Sequence, residues 1–179
     1  MCPNFIYWIL QVLKDPKASN SENTMDYHDI LSDPEIDAVL IMTGWGPHVQ
    51  LSKESMLAVK YTGVEVGCAY TLEQCFELLE TYEKTGAPLM MLENCCYGRL
   101  EMMALNMERQ GVLGEVVHCK GGYHHELCSC ELLHKNGETD EIELDHYRWS
   151  EYVHRNCHQY PTHDFGPISK LLRINRENL

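Results

Sequence analysis

"DYHDILSDPEIDAVLIMTGWGPH", Asp26 to His48, sets the fold. A short helix is expected ahead of Ile36 to Thr43, which is a run of branched apolar residues that ends on Gly44. A run that is apolar on both faces fits a strand covered on both sides, as in a parallel sheet. Downstream the pattern alternates. Ser52 to Lys60 predicts a helix, "VEVGCA" (Val64 to Ala69) a second strand, and Leu72 to Lys84 a helix with an apolar stripe that Gly86 stops. "APLMMLE" (Ala87 to Glu93) predicts a third strand. Strands alternating with helices require right-handed crossovers and parallel pairing, so the fold class is α/β, a partial Rossmann-like sheet.

Beyond Asn94 the pattern changes to that of a partial α+β region. A helix is expected from Arg99 to Gln110, stopped by Gly111, followed by a strand over "GEVVHCKGGYHHE" (Gly114 to Glu126). Asn136-Gly137 is a hairpin signal with an extended segment after it, and Pro161 to Ile174 predicts a closing helix with Pro161 near its first turn. Residues 1–24 read as an irregular lead, because "KDPKASNSENT" is a run of turn formers and "FIYWILQVL" is too short to span a bilayer at about 20 residues. The expected division is 1–24, then 25–93, then 94–179.

Acidic residues outnumber basic ones by 27 to 14, a formal charge of -13, which excludes a phosphate backbone or an anionic membrane as the expected partner. Nine cysteines form an odd set without regular spacing. With no secretory signal, reduced thiols and a cytoplasmic location are expected. Metal is not expected either: Cys128 and Cys130 have one residue between them, whereas paired zinc cysteines usually have two.

Polar and aromatic residues cluster where strands end. In an open parallel sheet ligands lie beyond the carboxyl ends of the strands, so "TGWGPH" (Thr43 to His48), "VEVG" (Val64 to Gly67) and "LENCCYGR" (Leu92 to Arg99) describe one edge of a crevice. Alternation along the strand expected over 114–126 places Tyr123 and His125 on one face and His124 on the other. In "YPTH", Tyr160 and His163 are three apart at a helix start, a spacing that puts both on nearly the same side. Imidazole and phenol are proton-transfer groups.

Together these stretches resemble the glucose-fructose oxidoreductase, inositol dehydrogenase and MocA (Gfo/Idh/MocA) family, most closely its branch of NAD-dependent glycosidases typified by alpha-N-acetylgalactosaminidase. "MMLENCCYGR", "GEVVHCKGGYHHEL" and "YPTHDFGPI" carry the resemblance most specifically. It implies NAD as cofactor, held by Trp45, His48, Glu65, Val66 and Asn94. It implies a sugar or glycoside as substrate, met by Tyr97, Tyr123, Tyr160, Pro161, Thr162 and His163, with His163 and Tyr160 moving protons. The implied chemistry is oxidation at C3, elimination, water addition and re-reduction. Glu65 is followed by Val66 and Gly67 where many dehydrogenases of the wider family have Glu-Lys-Pro, which favours the glycosidase-like branch. No G-x-G-x-x-G precedes Ile36, so the sequence reads as shortened at both ends. A sheet lacking its first strands would bare apolar surface, and homo-oligomeric association is the expected remedy. A non-catalytic remnant that binds carbohydrate or partner chains is the alternative reading.

Overall fold

The computed structural model describes residues 26–126, 134–135, 142–143 and 147–174. The chain forms two compact units, 1–92 and 93–179. In the first, α1 (Tyr27–Ser32), β1 (Ala38–Ile41), α2 (His48–Leu57), β2 (Tyr61–Val64), α3 (Leu72–Thr85) and β3 (Leu89–Met91) follow in order. The three strands pair in parallel in the order β1-β2-β3. The α/β reading of a Rossmann-like sheet therefore holds.

The core lies under this sheet. Val39 and Ile41 of β1 pack with Ile36, Leu51 and Val64, while Met56 and Leu78 join Val49 and Ala87 in a second cluster between helices and sheet. Lys60 is held inside by its own chemistry: its ammonium donates to the carbonyls of Asp33 at 2.7 Å and Ile36 at 2.8 Å, which satisfy the buried charge.

β1 and β3 are shorter than the expected runs, and α2 and β2 are placed differently. α2 starts at His48 rather than Ser52, because Pro47 already has helical dihedrals and its carbonyl accepts the Leu51 N–H at 3.0 Å. β2 covers "YTGV" and ends where "VEVGCA" begins. Gly63 and Thr62 hide the strand from a hydrophobic pattern, yet a Cβ at Gly63 would fall 2.7 Å from Leu40 Cδ2, so the strand needs its gap there. After Val64 only the Glu65 N–H reaches back, to the Ile41 carbonyl at 2.9 Å, and Gly67 then turns the chain at φ 82°.

The second unit contains a 3-10 turn (Cys95–Tyr97), α4 (Arg99–Arg109), the antiparallel pair β4 (His134–Lys135) and β5 (Ile142–Glu143), α5 (Tyr147–His154) and α6 (Thr162–Leu171). The expected strand over 114–126 is not one: these residues are mostly exposed and pair with no other strand among the described residues. The extended segment expected after Asn136-Gly137 gives way at its end to α5 (Tyr147–His154), whose Glu151 is in i,i+4 contact at 3.4 Å with Arg155 just past the helix. Cys128, Cys130, Asn136-Gly137 and the lead 1–24 lie outside the described residues. Among the described residues no helix is long and apolar enough to cross a membrane.

Candidate active site

Parallel pairing puts the ends of β1 and β2 side by side, and with them four of the residues singled out in the sequence. His48 ties the two loops together. One ring nitrogen lies 3.1 Å from the Thr43 carbonyl and the other 3.2 Å from the Gly67 carbonyl, and the residue is fully buried. Burial holds its imidazole below the ordinary range, against the smaller opposing effect of the two carbonyls. A neutral ring donates to only one of them. Trp45 is buried against Gly67, with indole atoms 3.0 to 3.2 Å from where a Cβ would stand. Val66 is buried too, while Glu65 is half-buried and its carboxylate accepts the Val66 N–H at 3.1 Å. The side chains of Trp45, His48 and Val66 thus build the wall of the sheet edge, and Glu65 is the group of the four that stays partly open.

In the second unit the pieces come from three distant stretches. Gly121 lets the loop that carries Tyr123 lie against α6, since a Cβ there would fall 2.9 Å from the Asp164 carbonyl oxygen and 2.9 Å from Ile168 Cδ1. Tyr123 then meets Tyr160 with ring centroids 5.6 Å apart and the edge of His163 at 4.9 Å, while Tyr160 and His163 contact edge to face at 4.5 Å. His125 is on the same side as Tyr123, at 5.7 Å. Tyr123, Tyr160, His125 and Arg148 line a cavity of about 260 Å³, and the Arg148 guanidinium lies 5.2 Å from the Tyr160 ring centroid.

His163 stands behind this cavity rather than in its lining, its side chain 11% exposed. Its Nδ1–H donates to Oε1 of Glu93 at 2.7 Å, and the same oxygen accepts the Cys95 N–H at 2.8 Å. The approach of α6 to this turn depends on Gly166, where a Cβ would fall 2.9 Å from Cys96 Sγ and 3.3 Å from Glu93 Cγ. Burial first, and the Glu93 carboxylate second, raise the Cys95 thiol above its ordinary range. Burial also raises that of Cys96, partly offset by Lys170.

The remaining expected residues are less central. Tyr97 is exposed and carries the Lys170 ammonium 3.8 Å from its ring centroid. Asn94 is exposed, and its carbonyl accepts the Tyr97 N–H at 3.0 Å to close the 3-10 turn. Pro161 precedes α6 and receives the Phe165 N–H at 2.9 Å, and the Thr162 hydroxyl is buried without a hydrogen-bond partner among the described residues. Sequence reasoning missed Glu93 and Arg148. Glu93 had a signal, a carboxylate at a strand end next to Asn94; Arg148 had none, because it lies in a segment read as extended.

Residues 10–93 match the model of an oxidoreductase family with an NAD-binding Rossmann fold, and residues 97–179 that of the glycosyl hydrolase 109 C-terminal domain. The chain is thus similar to NAD-binding Gfo/Idh/MocA oxidoreductases over its first part and to glycosyl hydrolase 109 over its second. Glycosyl hydrolase family 109 proteins of Shewanella baltica and Shewanella sp. ANA-3 are 43% and 42% identical over 158 residues, which is 86% of this chain and 32% of each relative. The chain thus spans about a third of the length of the curated relatives it matches. Among solved structures, an oxidoreductase from Bacillus cereus is 31% identical with a TM-score of 0.50, covering 52% of this chain and 27% of its own. The junction of the two matches falls in "LENCCYG", the stretch that supplies both Asn94 and Glu93.

Proposed function

We propose that this chain serves an NAD-dependent enzyme that acts on a sugar or glycoside, with His163 and Tyr160 as its proton-handling groups. The observation that carries the reading is the Glu93–His163–Tyr160–Tyr123 cluster beside a cavity of small-molecule size. Oxidoreductase sequence followed by glycosyl hydrolase 109 sequence supports it.

The residues present suit the nicotinamide end of NAD. Buried Trp45 and His48 fix the loops after β1 and β2, leaving Glu65 and the backbone of Val66 at the carboxyl edge of the sheet, where such a ring is held in open α/β folds. We assign Asn94 to the same cofactor from its place after β3. Bound there, NAD supplies a hydride acceptor and donor.

Every other duty falls to the chain. Tyr123 and Tyr160 offer flat faces to a pyranose, and Arg148 with His125 offers hydrogen-bond donors to its hydroxyls. Thr162 and Pro161 shape the start of α6, and Tyr97 is assigned an outer contact. Glu93 orients the His163 ring by holding Nδ1–H, which leaves Nε2 as the atom that takes or returns a proton, directly or through the Tyr160 hydroxyl. A carbon next to an oxidised position is acidic enough for such a base, so an elimination route needs no pair of flanking carboxylates.

The test is titration with NAD, followed by addition of a nitrophenyl alpha-N-acetylgalactosaminide. Saturable binding, a nicotinamide redox signal and nitrophenol release, all lowered about 100-fold or more by His163→Ala in the last readout, support the reading. No binding at millimolar NAD, with the glycoside still bound, would point instead to a carbohydrate-binding chain without catalysis.

A further inference from the structure

Glu93, Cys95 and His163 bring a carboxylate oxygen, a sulfur and an imidazole nitrogen within 4.8 Å of one another. His163 is the distant member, laid on the other two by α6. The place is nearly closed: the side chains of Glu93 and His163 keep only 7% and 11% of their surface. One oxygen of Glu93 is satisfied twice, by the Cys95 N–H at 2.8 Å and His163 Nδ1 at 2.7 Å. Its other oxygen, Oε2, is buried with no hydrogen-bond partner among the described residues. A buried carboxylate oxygen left so is costly, and one imidazole on the opposite oxygen does not answer it.

We propose that Glu93, Cys95 and His163 form a binding site for a thiophilic divalent cation, with zinc the metal their donors fit. Oxygen, sulfur and nitrogen from Glu, Cys and His are all zinc ligands, and three protein ligands with a fourth position open is the arrangement of zinc sites that accept an outside ligand. Calcium and magnesium prefer oxygen alone. Zinc bonds of about 2.0–2.3 Å set ligand atoms roughly 3.3–3.7 Å apart in a tetrahedron. The short His163–Glu93 contact of 2.7 Å therefore opens slightly, and the sulfur closes from within 4.8 Å. Binding releases the thiol proton to solvent, and the His163 proton passes from Nδ1 to Nε2, so that a neutral imidazole coordinates through Nδ1. No spacing motif announces the site, because two ligands are near neighbours in sequence and the third is 70 residues away. If His163 moves protons as proposed above, the bound ion withdraws it and acts as an inhibitor; that consequence rests on the functional reading, and the binding itself does not.

The test is a Co²⁺ titration of the full chain under reducing conditions, free of chelator, followed by displacement with Zn²⁺. One equivalent should give a thiolate-to-cobalt charge-transfer absorption that Zn²⁺ abolishes. Cys95→Ser should remove the band and weaken binding at least about tenfold, Glu93→Gln should weaken it comparably, and Cys128→Ser with Cys130→Ser should leave it in place. An unchanged far-ultraviolet circular dichroism spectrum for Cys95→Ser separates ligand loss from misfolding. A band that survives Cys95→Ser, a band lost with Cys128 and Cys130, or no band at millimolar Co²⁺ overturns the proposal. NAD binding is not read in this experiment, so its failure leaves the sugar-enzyme reading standing.

Discussion

Glu93 and His163 test each other because each is the other's buried partner. Removing Glu93 as Glu93→Ala strands the Cys95 N–H and the His163 ring, and should cost about 1–3 kcal/mol in denaturant unfolding. Removing His163 as well should cost less than the sum. A double-mutant cycle is expected to give a coupling of about 1–3 kcal/mol, and a value near zero would mean that the 2.7 Å contact does not hold in solution. His48 makes a pH prediction in the other unit. Its folded value lies below the ordinary 6.5, so the unfolded chain binds the proton more readily. The stability contributed by the neutral buried ring is present above about pH 6.5 and is lost as pH falls below it, by at most about 1.4 kcal/mol per pH unit. Urea midpoints at stepped pH should show this slope, and His48→Gln should flatten it. At this scale the sequence was legible by residue type and place: Tyr123, Tyr160 and His163 were singled out from motif and spacing, and they do meet. Burial was not legible. Nothing in "TGWGPH" reveals that His48 faces two backbone carbonyls, since that depends on where Gly67 ends up after β2.

The helices of the first unit show how local chemistry fixes an element's limits. α3 begins with a capping box, in which the Thr71 hydroxyl accepts the Gln74 N–H at 3.2 Å and Gln74 answers the Thr71 N–H, and it ends on Gly86 in the left-handed region at φ 69°. Thr71→Ala should therefore lower stability by about 0.5–2 kcal/mol, read as a shift in denaturant midpoint without a change in slope. α2 ends less well. Val59 follows its C-cap with φ 57°, a left-handed conformation that a β-branched side chain resists, and the side chain is exposed and so contributes little packing. Val59→Gly should raise stability by up to about 1 kcal/mol, because relief of that strain outweighs the added freedom of the unfolded chain. The same comparison explains which limits were legible. The stop of α3 was, because Gly86 is the residue its geometry asks for. The stop of α2 was not, because Val59 is the wrong residue for its conformation, and the expected helix ran on to Lys60.

For the molecule, the decisive question is what its apolar surface does in water. Leu72, Phe76, Leu79 and Tyr82 recur along α3 at helical spacing and are all exposed, while the buried residues of the helix are Leu78 and Thr81. The apolar stripe legible in the sequence is thus the outward one. Periodicity reveals that a helix has an apolar side but not which neighbour covers it, and burial within this unit goes to the opposite flank. β3 adds Met90 and Met91, exposed on an edge strand. Such a patch favours self-association, whereas a net charge of -13 opposes it over a screening length of about 8 Å at physiological salt. The two effects predict a particular dependence: sedimentation velocity should show association that strengthens as salt rises from low to physiological ionic strength. Phe76→Glu with Leu79→Lys should return the chain to a monomer while changing unfolding stability by no more than about 0.5 kcal/mol per site, since both side chains lie on the exposed face. A chain that stays monomeric at high protein concentration and high salt would show that the stripe is tolerated bare, and the expected homo-oligomer would have to be given up.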